Sequence, residues 1–110
     1  MITLHPEQVA ALPVDQLRLV ILDDLIAVGG WNEYNYLLNA QRTFSGEALE
    51  AIAEAVAWLR ARALIARTPG QTSDAAIFVT RTGRRIATDG PKAFYAAERL
   101  QGGRSPIDRG

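Results

Sequence analysis

The chain has 110 residues, 48 % of them apolar and 22 % charged, and its 12 basic and 12 acidic side chains cancel to a net charge of zero. This length suits one domain with a modest core, and the mix of residue types is that of a globular protein and not of a disordered one. Cysteine is absent, which excludes disulfides, thiolate metal sites and cysteine nucleophiles; with no apolar run long enough for a bilayer and no signal-peptide pattern, a cytoplasmic protein without a membrane partner is expected.

His5-Pro6-Glu7 opens a short helix, with Pro6 suited to the first helical position and Leu12-Pro13 ending it. From Asp15 to Val28, the residues Leu17, Val20, Ile21, Leu25 and Val28 recur at helical spacing, with Asp15 as the cap and Gly29-Gly30 as the stop. Asn32 offers the next cap, before a helix over 33–41 whose Tyr34, Leu37 and Leu38 share a buried face. Ser45 caps a longer helix starting at Glu47, and Phe44 staples that corner to the core. Along this helix Leu49, Ile52, Val56, Leu59 and Ala63 fall on one face.

Two β-prone runs come next, Leu64 to Arg67 and Ala76 to Thr80. Between them Pro69 fixes φ and Gly70 tolerates positive φ, so the segment predicts a hairpin. Thr80 to Thr88 reads as a strand running into a helix capped by Thr80 or Thr82, and Asp89-Gly90-Pro91 breaks it. A last helix over 92–101 carries Phe94, Ala97 and Leu100 and is expected to pack back onto the first; residues 102–110 form a Gly-rich, polar, flexible tail.

The zero net charge conceals an asymmetry: residues 1–59 hold 2 basic and 8 acidic residues, a net −6, and residues 60–110 hold 10 and 4, a net +6. A basic C-terminal half can attract phosphate backbones, or the two halves can pair with each other on the folded surface.

The order of three helices, a hairpin and a Thr-x-x-Gly step resembles bacterial winged helix-turn-helix proteins. Two segments carry the likeness: Trp58-Leu-Arg-Ala-Arg-Ala-Leu-Ile65, similar to the end of the third helix and the first wing strand, and Ile77-Phe-Val-Thr-Arg-Thr-Gly-Arg-Arg-Ile86, similar to the second wing strand with its Thr-x-x-Gly step. With Trp31-Asn-Glu-Tyr-Asn35 and Pro69-Gly-Gln71, these also resemble the N-terminal domain of the Ymh or abortive-infection-like family, in which a winged helix precedes a larger helical HEPN-type domain. The resemblance implies an α+β, mainly α fold over residues 1–101, with its winged-helix core at about 15–88 and extra terminal helices. Phe94 to Leu100 would lie where the joining helix begins, so no activity of the second domain is carried over. One departure concerns position 63, which is Ala where winged helices often have Gly; a left-handed helix end there would cost on the order of 1 kcal/mol, which leaves room for a different ending.

In DNA-binding winged helices the third helix enters the major groove and the wing touches phosphate. Here, at 100° per residue, Glu47, Ala51, Glu54 and Trp58 fall opposite the predicted core face of that helix, and the acids repel phosphate while suiting the helix N-terminus. Trp58 on such a face can anchor a protein partner or a second copy, unless a terminal helix covers it. Arg67, Arg81, Arg84 and Arg85 surround the wing, with Arg42 nearby, and form the candidate contacts to double-stranded DNA. His5 is the only histidine, the adjacent Asp23 and Asp24 diverge on their helix, and the glycine pairs lack a phosphate-loop lysine; no catalytic residue, metal or cofactor is expected. Two functions are consistent with these residues: a DNA-binding module of a prokaryotic regulator or defence protein, or a winged helix that binds protein through Glu47, Glu54 and Trp58.

Overall fold

The computed structural model describes residues 4–73 and 75–102, without the side chains of residues 31, 32 and 97–102. Within them the chain is mainly helical α+β: α1 (Pro6–Ala11), α2 (Val14–Val28), α3 (Gly30–Tyr34), α4 (Tyr36–Thr43), α5 (Gly46–Ala61), β1 (Ile65–Arg67), β2 (Ile77–Val79), α6 (Arg81–Asp89) and α7 (Pro91–Gly102). The strands pair antiparallel, with Ile65 opposite Val79 and Arg67 opposite Ile77.

The core forms where α2 crosses α5. Ile21, Leu22 and Leu25 of α2 meet Ile52 and Leu59 of α5, and Ile65, Ile77 and Phe94 close the ends; each is essentially fully buried. Side chains of this size contribute about 1.5–3 kcal/mol each when removed from water, so this cluster, more than helix propensity, holds the short elements in place. The helix α1, begun by Pro6 as its sequence predicts, packs on another side of α5 through Val9.

The segment expected as one helix over 33–41 is two. The chain breaks at Asn35, whose φ of −101° and ψ of 19° lie outside the helix, so that Asn35 is the N-cap residue of α4 without making a side-chain cap bond. Asn32, expected as the cap, lies instead inside α3, which already begins at Gly30. The break changes which residues are buried: Tyr36 and Ala40, four apart, enter the core, whereas Leu37 is half-buried and Leu38 is 45 % exposed. Tyr36 is drawn inward by a polar partner that the apolar pattern does not register. Its hydroxyl donates to Oδ2 of buried Asp24 on α2 at 2.6 Å. Burial, and then the carboxylate beside it, push the Tyr36 hydroxyl far above its ordinary range, so the donor keeps its proton.

Other boundaries shift for local reasons. Pro13, and not Asp15, occupies the N-cap of α2; Asp15 lies in the first turn, where the helix dipole favours a carboxylate. Ser45 holds the N-cap position of α5 but its side chain makes no cap bond. The chief neighbour of α7 is α6, and its Phe94 ring stands 5.8 Å from the Trp58 ring of α5, in place of the expected packing on the first helix. The expected contributions of Ala97 and Leu100, and the tail beyond 102, lie outside the described residues and side chains.

The end of α5 takes the left-handed turn that its sequence penalises. Ala63 has φ of 61°. The Ala63 N–H donates to the Arg60 carbonyl and the Leu64 N–H to that of Leu59, the two bonds of a Schellman turn, and Leu64 is buried beside Leu59. Those bonds and that contact hold an alanine where glycine is easier. Ala63→Gly is therefore expected to raise stability by about 0.5–1 kcal/mol, the relief of the strained φ exceeding the extra freedom gained by the unfolded chain. Urea unfolding checks this; an unchanged or lower midpoint would mean that Ala63 is not strained.

Candidate functional site

The hairpin and the first turn of α6 form one unit. Three residues per strand cannot hold a hairpin alone, and hydrogen bonds extend the pairing at both ends. The Thr68 N–H donates to the Ala76 carbonyl at 2.8 Å and the Thr80 N–H to the Leu64 carbonyl at 3.0 Å. At the tip, Gly70 takes the left-handed φ of 82° that its turn needs. The Tyr34 hydroxyl donates to Gln71 Oε1 at 2.8 Å, tying the loop to α3.

Thr80 and Gly83 explain the Thr-x-x-Gly step. The Thr80 hydroxyl accepts from the Gly83 N–H at 3.0 Å, capping α6, and donates to the Ala63 carbonyl at 2.7 Å, with the Leu64 carbonyl 3.1 Å away. One side chain thus joins the start of α6 to the end of α5. Gly83 is buried against Leu64, the residue that leads into β1, where a Cβ would come within 2.1 Å of the Leu64 carbonyl oxygen.

The outer edge of β2 is closed by a charge. Glu33 of α3 is only 5 % exposed, and its Oε2 accepts from the Val79 N–H while its Oε1 lies 3.3 Å from an Arg84 guanidinium nitrogen. In the sequence Glu33 is one acid among many, since its partners lie 46 and 51 residues away and no local pattern connects them.

The arginines divide accordingly. Arg81 and Arg85, four apart in the first half of α6, are exposed on a shared face. Arg84 is half-exposed and turned toward Glu33. Arg67 is exposed at the end of β1, and Arg42 is exposed in the last turn of α4. Arg81, Arg84 and Arg85 thus crowd the N-terminal half of a helix, the end whose dipole disfavours cations, with Glu33 paired to Arg84.

Trp58 is not an open anchor. It is half-buried, with the Phe94 ring beside it and the guanidinium carbons of Arg18 and Arg62 over its ring at 4.4 and 4.8 Å from the centroid. Glu47 and Glu54 are exposed, but they border a cleft of about 200 Å³ that α1 and α2 share with α5. The face of α5 expected to stand open is therefore bordered by α1 and α2, with Glu47 and Glu54 left exposed and Ala51 and Trp58 half-buried. The more open face carries Leu49, Glu50, Ala53, Ala57, Arg60 and Ala61, which with Leu37 and Gln41 of α4 line a groove of about 640 Å³. Ala63, expected on the core face, instead lies beyond the end of the helix and is exposed.

Among the described residues, no group of three or more His, Cys, Asp or Glu is placed to hold a metal ion, and no helix is long and apolar enough to cross a membrane. No protein family, curated protein or solved structure matches this chain.

Proposed function

We propose that the chain is a winged-helix module of a prokaryotic regulator or defence protein that binds double-stranded DNA through its phosphate backbone, without catalysis. The observation that carries this reading is the placement of exposed Arg81 and Arg85, with Arg84, at the N-terminal end of α6 beside the hairpin. Cations there cost the isolated helix about several tenths of a kcal/mol each, and an anionic partner reverses that sign, because the helix end and the guanidinium groups then attract the same phosphate. Arg67 on the adjoining strand and Arg42 on α4 extend the basic surface. The element order supports this reading: α2, the short α3 with α4, and α5 precede the antiparallel β1–β2 pair that would serve as the wing.

Base reading by α5 has no support. Glu47, Glu50 and Glu54 are exposed along it between alanines, and carboxylates repel the walls of a groove. The module therefore grips phosphate from the wing side and reads little sequence. Protein binding through Glu47, Glu54 and Trp58 is the weaker reading, since the tryptophan that would anchor it is already stacked within its own chain.

Fluorescence anisotropy with a mixed-sequence duplex tests the proposal. Binding is expected to weaken steeply with salt, and Arg81→Ala with Arg85→Ala to lower affinity about tenfold or more at low salt and to reduce the log–log salt slope by about 2. Absence of binding at low ionic strength, or an unchanged slope in the double variant, would reject it.

A further inference from the structure

We infer that α5 is also the seam of a two-fold symmetric dimer, in which the groove between α4 and α5 is filled by the α5 of a second copy running antiparallel. This goes beyond DNA binding and rests on a different face of the molecule.

The groove of about 640 Å³ is lined by Leu37, Leu49 and Val56, with Ala53, Ala57 and Ala61 exposed along it, and it is flanked by Glu50 toward the start of α5 and Arg60 toward its end. Positions 50, 53, 57 and 60 have the spacing of three, four and three that makes a helix–helix seam. Ala53, Ala57 and Ala61 along the seam let two helix backbones approach closely and have no rotamer freedom of their own to lose.

The charges select the occupant. A two-fold axis crossing α5 level with position 55 sets Glu50 against the partner's Arg60 and Arg60 against the partner's Glu50. The same register places Ala53 opposite the partner's Ala57 and Leu49 opposite the partner's Ala61. Glu50 and Arg60 are ten residues apart, about 15 Å along one helix, too far to pair with each other within a chain. Two copies satisfy both at once, and only in the antiparallel sense, because a parallel arrangement opposes like charges. This self-complementarity is what an isologous interface requires. Arg60 is engaged within its own chain as well, and the five donors of a guanidinium accommodate a second acceptor.

Sedimentation velocity of the full chain over a wide concentration range tests this, with circular dichroism to verify folding. A monomer–dimer equilibrium is expected. Glu50→Arg alone and Arg60→Glu alone are each expected to weaken dimerisation by about tenfold or more through like-charge contacts, and the two together to restore it. Ala57→Glu, at an exposed helical position, is expected to abolish the dimer without unfolding the chain. A chain that stays monomeric at several hundred micromolar overturns the inference and leaves the groove to a different occupant, and a dimer indifferent to Ala57→Glu and the charge exchange places the interface elsewhere and overturns it too. Either failure leaves the salt dependence of DNA binding intact, so the two readings fail separately.

Discussion

Gly83→Ala is expected to lower the stability of the fold by about 3 kcal/mol or more, a large effect for a single methyl group. An added Cβ meets the Leu64 carbonyl oxygen at 2.1 Å and the Leu64 carbonyl carbon and Val79 Cγ1 at 3.0 Å. The first two are backbone atoms and have no rotamer through which to yield. The Leu64 carbonyl is further fixed by the Thr80 N–H, at 3.0 Å, and by the Thr80 hydroxyl nearby. Relief requires α6 to lift from Leu64, which breaks the bond between Thr80 and Leu64 and loosens the end of the hairpin. Helix propensity pulls the other way, since alanine is favoured over glycine by about 1 kcal/mol inside a helix. Overpacking against fixed backbone exceeds that gain. Urea denaturation followed by circular dichroism measures the difference, and a loss below about 1 kcal/mol would mean that Gly83 and Leu64 are not in this contact. Arg85→Ala, an exposed substitution two residues on, is the control and is expected to leave the midpoint within about 0.5 kcal/mol.

The elements built from short-range pattern were legible in the sequence, and those fixed by distant polar partners were not. Spacing of apolar residues located α2 and α5, because a helix that buries one stripe repeats every three or four positions. The cluster around Pro69 and Gly70 located the hairpin, and Thr80 was readable as a cap. The sequence also names the Thr-x-x-Gly step without giving its reason, since the close approach of Gly83 to Leu64 is a distance between elements. Two assignments failed together near Tyr36. Leu37 and Leu38 outrank a tyrosine in any apolar count, yet Asp24 gives Tyr36 a buried acceptor, and the chain turns to satisfy it. The face of α5 was misjudged for a simpler reason. The pattern shows which residues share a face, but only the packing of α1 and α2 shows which second face they border. Trp58 illustrates the limit: its cover is made of Arg18, Arg62 and Phe94, from three separate parts of the chain.

Glu33→Ala is expected to cost about 3 kcal/mol, and the reason lies in the strand and not in the ion pair. The Glu33 carboxylate takes the Val79 N–H at the outer edge of β2, where Val79 is buried. Truncation removes a charge-assisted bond worth about 1.5–3 kcal/mol and strands a backbone donor away from water, a penalty of about 1–3 kcal/mol that overlaps with it. The partner Arg84 contributes far less, because its side chain is 50 % exposed and solvent screens the pair. Arg84→Ala is accordingly expected to fall within about 0.5 kcal/mol of the parent chain. Glu33→Gln separates the two roles: its amide oxygen still accepts from Val79, so the loss is expected to be about 1 kcal/mol. Equal losses for the Gln and Ala variants would locate the effect in the charge and refute the strand argument. The same Gln variant also bears on DNA binding. It removes a negative charge beside the α6 arginines while leaving the hairpin in place, so the duplex affinity at low salt is expected to rise by a few-fold if phosphate is bound there. Unchanged affinity in a folded Glu33→Gln protein would separate Arg84 from the phosphate surface and confine it to Arg81, Arg85 and their neighbours.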